Sequence, residues 1–472
     1  MLAGGAAALL GTLGVRVLFA RVLEPAEVGL LLLAVALVSA TGGLAGLGVS
    51  LASTRRIAEQ RAEGDEVAAR RTGRTALAIG AGGGLAATTG LWLAAPQLAL
   101  WLAEPADRAL FESLLCSVTP VALALASGIA ALGVSRGFGK VAARALLRDA
   151  GGGLARVTFV ALAVAWGGAV GSLALGFTTG VVVAEGLFVA SALALVLRRE
   201  GGDPHFDREL PRLLAPFSGL EVLNQFQTWA DVVILGLLAA PEQVGFYALA
   251  RGLARGLEMV QGSASHSYLP AATAARLADS GAGFAPLYQR TRLLVLALLW
   301  APLCLFLLAP SWASRLLFGS AYGPVAEILS WLAFAMLVES ALGYKDQALM
   351  ALGRESAVLR AKLVTACCGV VLLLGLAPEL GARGAAMAVL GAQLAKSSLL
   401  SFLLAREAGI HPLRHDLAVP TGPLLVLGLA AWVAARWLPL QGLALPALAL
   451  AVGGAGSLWL LQRARRPRDL RT

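Results

Sequence analysis

The stretch RVLEPAEVGLLLLAVAL, residues 21–37, sets a Pro-x-x-Val-Gly turn between two apolar runs. The stretch APEQVGFYALA, residues 240–250, sets the same turn 216 positions later. Proline fixes φ and lacks an amide hydrogen, so it ends one helix or opens the next. Pro25-Ala26-Glu27-Val28-Gly29 and Pro241-Glu242-Gln243-Val244-Gly245 are expected to be tight linkers of helical hairpins, with Gly29 and Gly245 admitting a close neighbour. A polar turn that recurs at one spacing inside apolar runs points to duplicated architecture.

The apolar runs set the solvent. The chain has 472 residues, 58% hydrophobic and 14% charged, with a mean hydropathy of +0.77. Soluble domains carry about 25% charged residues, so this chain cannot clothe a water-facing surface. A membrane-spanning helix needs about 20 mostly apolar residues. Fourteen candidates follow: 2–22, 27–53, 75–102, 109–133, 149–167, 170–197, 212–238, 243–269, 291–309, 325–350, 357–377, 383–405, 419–438 and 442–462. The runs are too long and too uniform for a membrane β-barrel. Residues 1–22 lack a basic start and carry Arg16 within the apolar stretch, so they are not expected to be a cleaved signal. Clusters such as Gly42-Gly43-Leu44-Ala45-Gly46-Leu47-Gly48 suit helices packed backbone to backbone in lipid.

The 216-residue offset aligns more than the turn. Arg74 falls on Arg290, Gly137 on Gly353, Arg144 on Arg360 and Gly168 on Gly384. Spans 1–6 thus correspond to spans 7–12. Six crossings return the chain to the same side, so the copies are parallel repeats related by an axis along the membrane normal. The expected fold is an all-α polytopic membrane protein. Its parts are an N-terminal lobe (1–200), a cytoplasmic linker (201–211), a C-terminal lobe (212–405), two further helices (419–462) and a basic tail (463–472).

Charge sets the orientation. Of 38 Lys and Arg, 27 fall on one side of the fourteen spans, five on the other and six within spans. Short loops keep Lys and Arg cytoplasmic, which places both termini in the cytoplasm. The net charge of +10 is then largely topological. It implies attraction to anionic membrane lipid and no nucleic-acid partner.

Residues 19–60 contain FARVLEPAEVGLLLLAVAL…LGVSLASTRRIAEQ, residues 211–250 PRLLAPFSGLEVLNQFQTWADVVILGLLAAPEQVGFYALA, and residues 317–354 LFGSAYGPVAEILSWLAFAM…ALMALGR. Together these resemble the polysaccharide-biosynthesis (O-antigen-type) flippases of the multidrug/oligosaccharidyl-lipid/polysaccharide exporter superfamily, over roughly residues 1–405. The resemblance implies two six-helix lobes around a central cavity in the bacterial inner membrane. It also implies export of polyprenyl-diphosphate-linked glycan from the inner to the outer leaflet. The lipid II flippases and the drug exporters share that fold, so fold alone does not choose among them. A glycan polymerase or assembly protein is an expected partner.

Ionisable side chains inside spans are costly and face a partner or water. In the seventh span Glu221, Asn224, Thr228 and Asp231 share one face; in the eighth, Tyr247, Arg251, Arg255, Glu258, Gln261 and Ser265 do. Two adjacent polar stripes are expected to line a hydrated cavity. Arg16, Arg251 and Arg255 are candidates for a diphosphate, because the planar guanidinium donates paired hydrogen bonds. Asp231, Glu221 and Glu258 are candidates for exchanging a proton or sodium ion or for gating, with Asn224, Thr228, Tyr247 and Gln261 lining the cavity. The alternative is internal bracing through Arg255–Glu258 or Arg251–Asp231. Arg156 and Glu185 are expected to pair within the first lobe, and Glu339, Lys345 and Asp346 of the tenth span are less informative. Gly137-Phe138-Gly139-Lys140 follows no strand and is not a nucleotide loop. Four cysteines and four histidines show no metal spacing. No enzyme chemistry and no cofactor are expected, since the longest outward loop, 310–324, carries no carboxylate pair.

Overall fold

A computed structural model of the chain describes residues 2–46, 48–140, 144–197, 206–277, 283–408, 410 and 444–465. The described residues are largely helical and contain no strand. In chain order the helices are α1 (Leu2–Val22), α2 (Pro25–Ala45), α3 (Val49–Ala62), α4 (Glu66–Leu102), α5 (Arg108–Val118), α6 (Pro120–Gly137) and α7 (Gly152–Ala165), the last preceded by a π-helical turn at Arg144–Gly151. They continue as α8 (Val170–Val196), α9 (Leu210–Leu238), α10 (Pro241–Leu277), α11 (Phe284–Leu308), α12 (Pro310–Phe318), α13 (Val325–Leu342), α14 (Lys345–Ala351), α15 (Glu355–Ala408) and α16 (Ala444–Arg465). Eight helical segments among the described residues are long and apolar enough to cross a membrane. The chain is a multi-pass membrane protein. The expected thirteenth span, 419–438, lies outside the described residues. Two compact units, residues 1–248 and 249–472, divide the chain within α10.

The opening turn behaves as its residues dictate. Pro25 begins α2, and Glu27 accepts the Glu24 backbone N–H at 3.1 Å, satisfying one donor that a helix start leaves orphaned. Pro241 opens α10 in the same way. The two turns also pack on each other within the first unit. A Cβ on Gly29 would sit 1.8 Å from the Pro241 carbonyl oxygen, and a Cβ on Gly245 would sit 2.5 Å from that of Pro25. Each motif thus docks its backbone in the cleft that the other's glycine leaves. Such reciprocal contact is what a two-fold relation produces.

Small residues set the rest of the first unit. On α6, a Cβ on Gly133 would meet Ser53 Oγ at 2.2 Å and one on Gly137 would meet Ile57 at 2.7 Å, so α3 lies directly against α6. Thr54 Oγ1 donates to the Gly133 carbonyl at 3.2 Å across that contact. The core of α3, α4, α6 and α8 gathers Val49, Ile57, Val134, Phe188 and Val196. The segment before α9 is pinned to this bundle by Asp207. Its Oδ2 accepts from Thr72 Oγ1 at 2.6 Å and from Arg56 Nε at 3.4 Å, and its backbone N–H donates to Thr75 Oγ1 at 2.8 Å. Burial alone would raise the Asp207 carboxyl, but Thr72, the Glu209 N–H and Arg56 together hold it below the ordinary aspartate range.

In the second unit α16 packs along α11. Gly453 faces Ala301 and Gly456 faces Trp300, at positions where a Cβ would fall within 2.8 and 2.2 Å. α15 joins two expected spans and breaks at Gly381, whose φ of 55° and ψ of −133° are non-helical, just past Pro378. The tenth expected span, 325–350, is not continuous. It stops at Gly343 (φ 75°, ψ −163°) and resumes at Lys345 as α14. A positive φ of this kind is open to glycine and strained for other residues.

Candidate functional site

The first unit holds a cavity of about 680 Å³ lined by α1, α2, α3, α6, α7, α8, α9 and the π-helical turn, a volume within the range of small-molecule sites. Its wall carries four guanidiniums, Arg16, Arg136, Arg148 and Arg156, against three carboxylates, Asp149, Glu185 and Glu221. Arg16 donates from Nη1 to the Ala248 backbone carbonyl, which fixes the α1 side chain against α10 while it lines the cavity. Glu185 accepts from Arg148 Nε at 3.0 Å, and Arg156 Nε donates to the Gly152 carbonyl at 2.9 Å. The expected Arg156–Glu185 pair is therefore replaced by Arg148–Glu185, because the π-helical turn carries Arg148 to the α8 carboxylate. Gly128 on α6 makes room for that carboxylate: a Cβ there would fall 1.9 Å from Glu185 Oε2.

Two members of the α9 stripe, Glu221 and Asn224, line this cavity. Glu221 Oε1 accepts from Gln225 Nε2 at 2.7 Å, and Thr228 Oγ1 donates to the Asn224 carbonyl at 2.6 Å. Asp231 and Tyr247 are joined elsewhere. The Tyr247 hydroxyl donates to Asp231 Oδ2 at 2.7 Å, and the Tyr247 ring is wholly buried. Thr228, Asp231 and Tyr247 are not part of this cavity's wall. Arg136 and Arg148 are, although loop charge alone had suggested no site role for them. The last turn of α6 puts Arg136 there and the π-helical turn before α7 puts Arg148 there, and a count of loop charges carries no sign of it.

The second unit holds a smaller cavity of about 270 Å³ lined by α10, α13, α14 and α15. Arg251, Glu258 and Gln261 reach it. Arg251 Nη1 donates to Glu258 Oε1 at 2.5 Å, two helical turns along the same face. Arg251 thus meets Glu258 on its own helix, and Asp231 meets Tyr247. Arg255 is half-buried on the same helix and is not part of this wall. Arg16 and Arg251 accordingly belong to different cavities in different units. Ser265 lies among residues whose side chains fall outside the description.

The wall of the second cavity includes Glu339, which no sequence pattern singles out. Oε1 meets Lys396 Nζ at 3.1 Å. Oε2 accepts from Ser397 Oγ at 3.1 Å, from Gln393 Nε2 and from Lys345 Nζ at 3.5 Å. Gln393, Lys396 and Ser397 share one face of α15. The signal that could have found this cluster is Gly343-Tyr344, an interruption inside an apolar segment. Tyrosines hold the interruption in place. Tyr344 donates to the Gln261 carbonyl at 2.8 Å and stacks on Tyr268 at 5.4 Å, while Tyr288 donates to the Leu342 carbonyl at 2.5 Å.

Residues 1–274 match the family described as polysaccharide biosynthesis protein. The chain belongs to that family. Among solved structures, this family member resembles the lipid II flippase MurJ in an inward closed conformation, at a TM-score of 0.73 and 14% identity, with 100% of this chain and 99% of that one covered. It also resembles an inward-facing multidrug-resistance MATE transporter of the MOP superfamily, at 0.65 and 16%, covering 92% and 96%. A MOP superfamily transporter from Pyrococcus furiosus matches at 0.56 and 15%, covering 92% and 96%. At such identities the likeness establishes the fold. No curated protein matches the sequence.

Proposed function

We propose that this family member is a flippase that moves a polyprenyl-diphosphate-linked oligosaccharide from the cytoplasmic to the outer leaflet of the bacterial inner membrane, by alternating access and with ion-gradient coupling. The observation that carries the reading is the arginine-bearing cavity of about 680 Å³ inside an apolar helical bundle. Charges are kept out of lipid unless they serve a polar path or a partner. Guanidiniums match the paired acceptor geometry of a diphosphate. Arg16 is held by a backbone carbonyl, which presents its planar fork at low entropic cost. The three carboxylates on the same wall keep the site from binding the anion irreversibly. In this reading Glu221, Asp231 and Glu258 carry the coupling or gating role. Both termini lie in the cytoplasm, and the lobes run over 1–200 and 212–405.

A second reading, the lipid II flippase, has one observation in its favour. The MurJ alignment extends over the full chain, including α16, whereas the MATE alignment covers 92%. One experiment addresses both. The gene is deleted in its host and the accumulated polyprenyl-linked intermediates are analysed by mass spectrometry. A lipid-linked surface oligosaccharide supports the first reading and lipid II the second; no accumulation of either discards both. Complementation with Arg16→Gln then reports on the diphosphate contact, and full complementation would remove Arg16 from that role.

A further inference from the structure

The Glu339 cluster has the form of a cation site that is already filled. α13 stops at Leu342, whose carbonyl accepts from Tyr288, and the Gly343 carbonyl beyond it accepts the Lys345 N–H at 3.0 Å at the negative end of the helix dipole. Broken helices of this kind bind diffusible cations in other membrane transporters through exposed carbonyls and helix C-terminal ends. Here one occupant of that oxygen shell is a side chain. Lys345 Nζ lies 3.3 Å from the Gly343 carbonyl and 3.5 Å from Glu339 Oε2, and the residue is 0% exposed. A lysine that merely caps a helix end usually keeps its ammonium in water; this one is sealed behind the carboxylate.

Glu339 lines the cavity together with Lys396, and Lys345 stands behind it. The neighbouring carboxylates have partners of their own: Asp346 meets Lys362 of α15 at 3.8 Å and Glu258 meets Arg251 at 2.5 Å. Glu339 is thus the carboxylate that Lys345 and Lys396 share, beside a cavity of about 270 Å³.

We propose that the Lys345 ammonium is a tethered monovalent cation. It occupies the oxygen site built by Glu339 and the Gly343 carbonyl, so this unit takes no sodium there, and the site becomes a monovalent-cation site when the lysine is shortened. The inference is independent of the transported substrate.

The test is a melting series on the full-length protein in detergent. Lys345→Ala and Lys345→Ser are compared with wild type at constant ionic strength, exchanging choline chloride for NaCl, KCl or methylammonium chloride. Wild type is expected to melt at one temperature throughout. Both variants are expected to melt lower in choline and to gain about 5 °C, saturably, once the small cation reaches ~100 times its dissociation constant. Adding Glu339→Gln to Lys345→Ala is expected to abolish that gain. The proposal is overturned if wild type shows a saturable sodium response that Glu339→Gln removes. It is equally overturned if the folded variants ignore all three cations, or if neither variant folds in any of the three salts, because a diffusible cation should then have replaced the ammonium.

Discussion

Gly29→Ala tests the contact between the two Pro-x-x-Val-Gly turns. The new methyl carbon would start 1.8 Å from the Pro241 carbonyl oxygen and 2.6 Å from its carbon. Ordinary contact begins near 3.4 Å, so α2 and α10 must separate by about 1.6 Å in a close-packed interior. The obstacle is backbone, and no rotamer change relieves it. Overpacking of this kind costs about 3 kcal/mol, the upper end of the usual range. For a unit of this size that corresponds to a fall of roughly 6–12 °C in Tm. Gly245→Ala meets the Pro25 oxygen at 2.5 Å and should cost less. The double variant should fall short of the sum, because the first methyl has already moved the same two helices apart. Gly82→Ala, with nothing within 4 Å of its Cβ, should be neutral or slightly stabilising. The assay is thermal unfolding in detergent, followed by size-exclusion chromatography to confirm a single species. A Gly29→Ala protein melting within 2 °C of wild type would refute the packing argument (about 0.5 kcal/mol on the same scale).

Asp207 gives a pH prediction. Its carboxyl titrates below the ordinary value, so its stabilisation is complete above about pH 5 and is lost as pH falls through its folded-state value. Asp207→Asn should cost about 1–2 kcal/mol near neutrality. That deficit should shrink on acidification; a pH-independent gap between the two melting curves would contradict it. At the Arg148–Glu185 pair, both side chains are largely buried, with 19% and 11% exposed. Arg148→Ala strands the carboxylate beside Gly128 and should cost about 3 kcal/mol, whereas Arg148→Ala with Glu185→Gln should recover most of the loss. A double-mutant cycle on Tm reads the coupling, and additive losses would show that the pair is not a unit.

Local composition made much of this protein legible. Apolar runs of bilayer length, a polar turn opened by proline and a one-sided distribution of arginine depend on neighbours along the chain, and periodicity displays them. The stripe on α9 was visible because helical spacing alone puts Glu221 and Asn224 on one face. Pairing was not legible. Sequence proximity favoured Arg255–Glu258; the structure also brings Arg251, seven residues away on the same face, to Glu258. The tenth span looked continuous because Gly343-Tyr344 is a small interruption in composition. It is a large one in geometry, since a single positive φ redirects the chain and turns Lys345 back upon Glu339.

The amino-acid sequence by itself determined that this chain folds as membrane helices, that its halves are duplicated, and which helices carry polar faces. Each of those follows from local transfer energies and helical periodicity. Only the tertiary structure decided that the two repeated turns dock glycine to backbone, that Arg148 and not Arg156 meets Glu185, and that Glu339 gathers two lysines from different helices. Those outcomes depend on where distant backbones approach within a few ångströms, and packing, not local propensity, sets such distances.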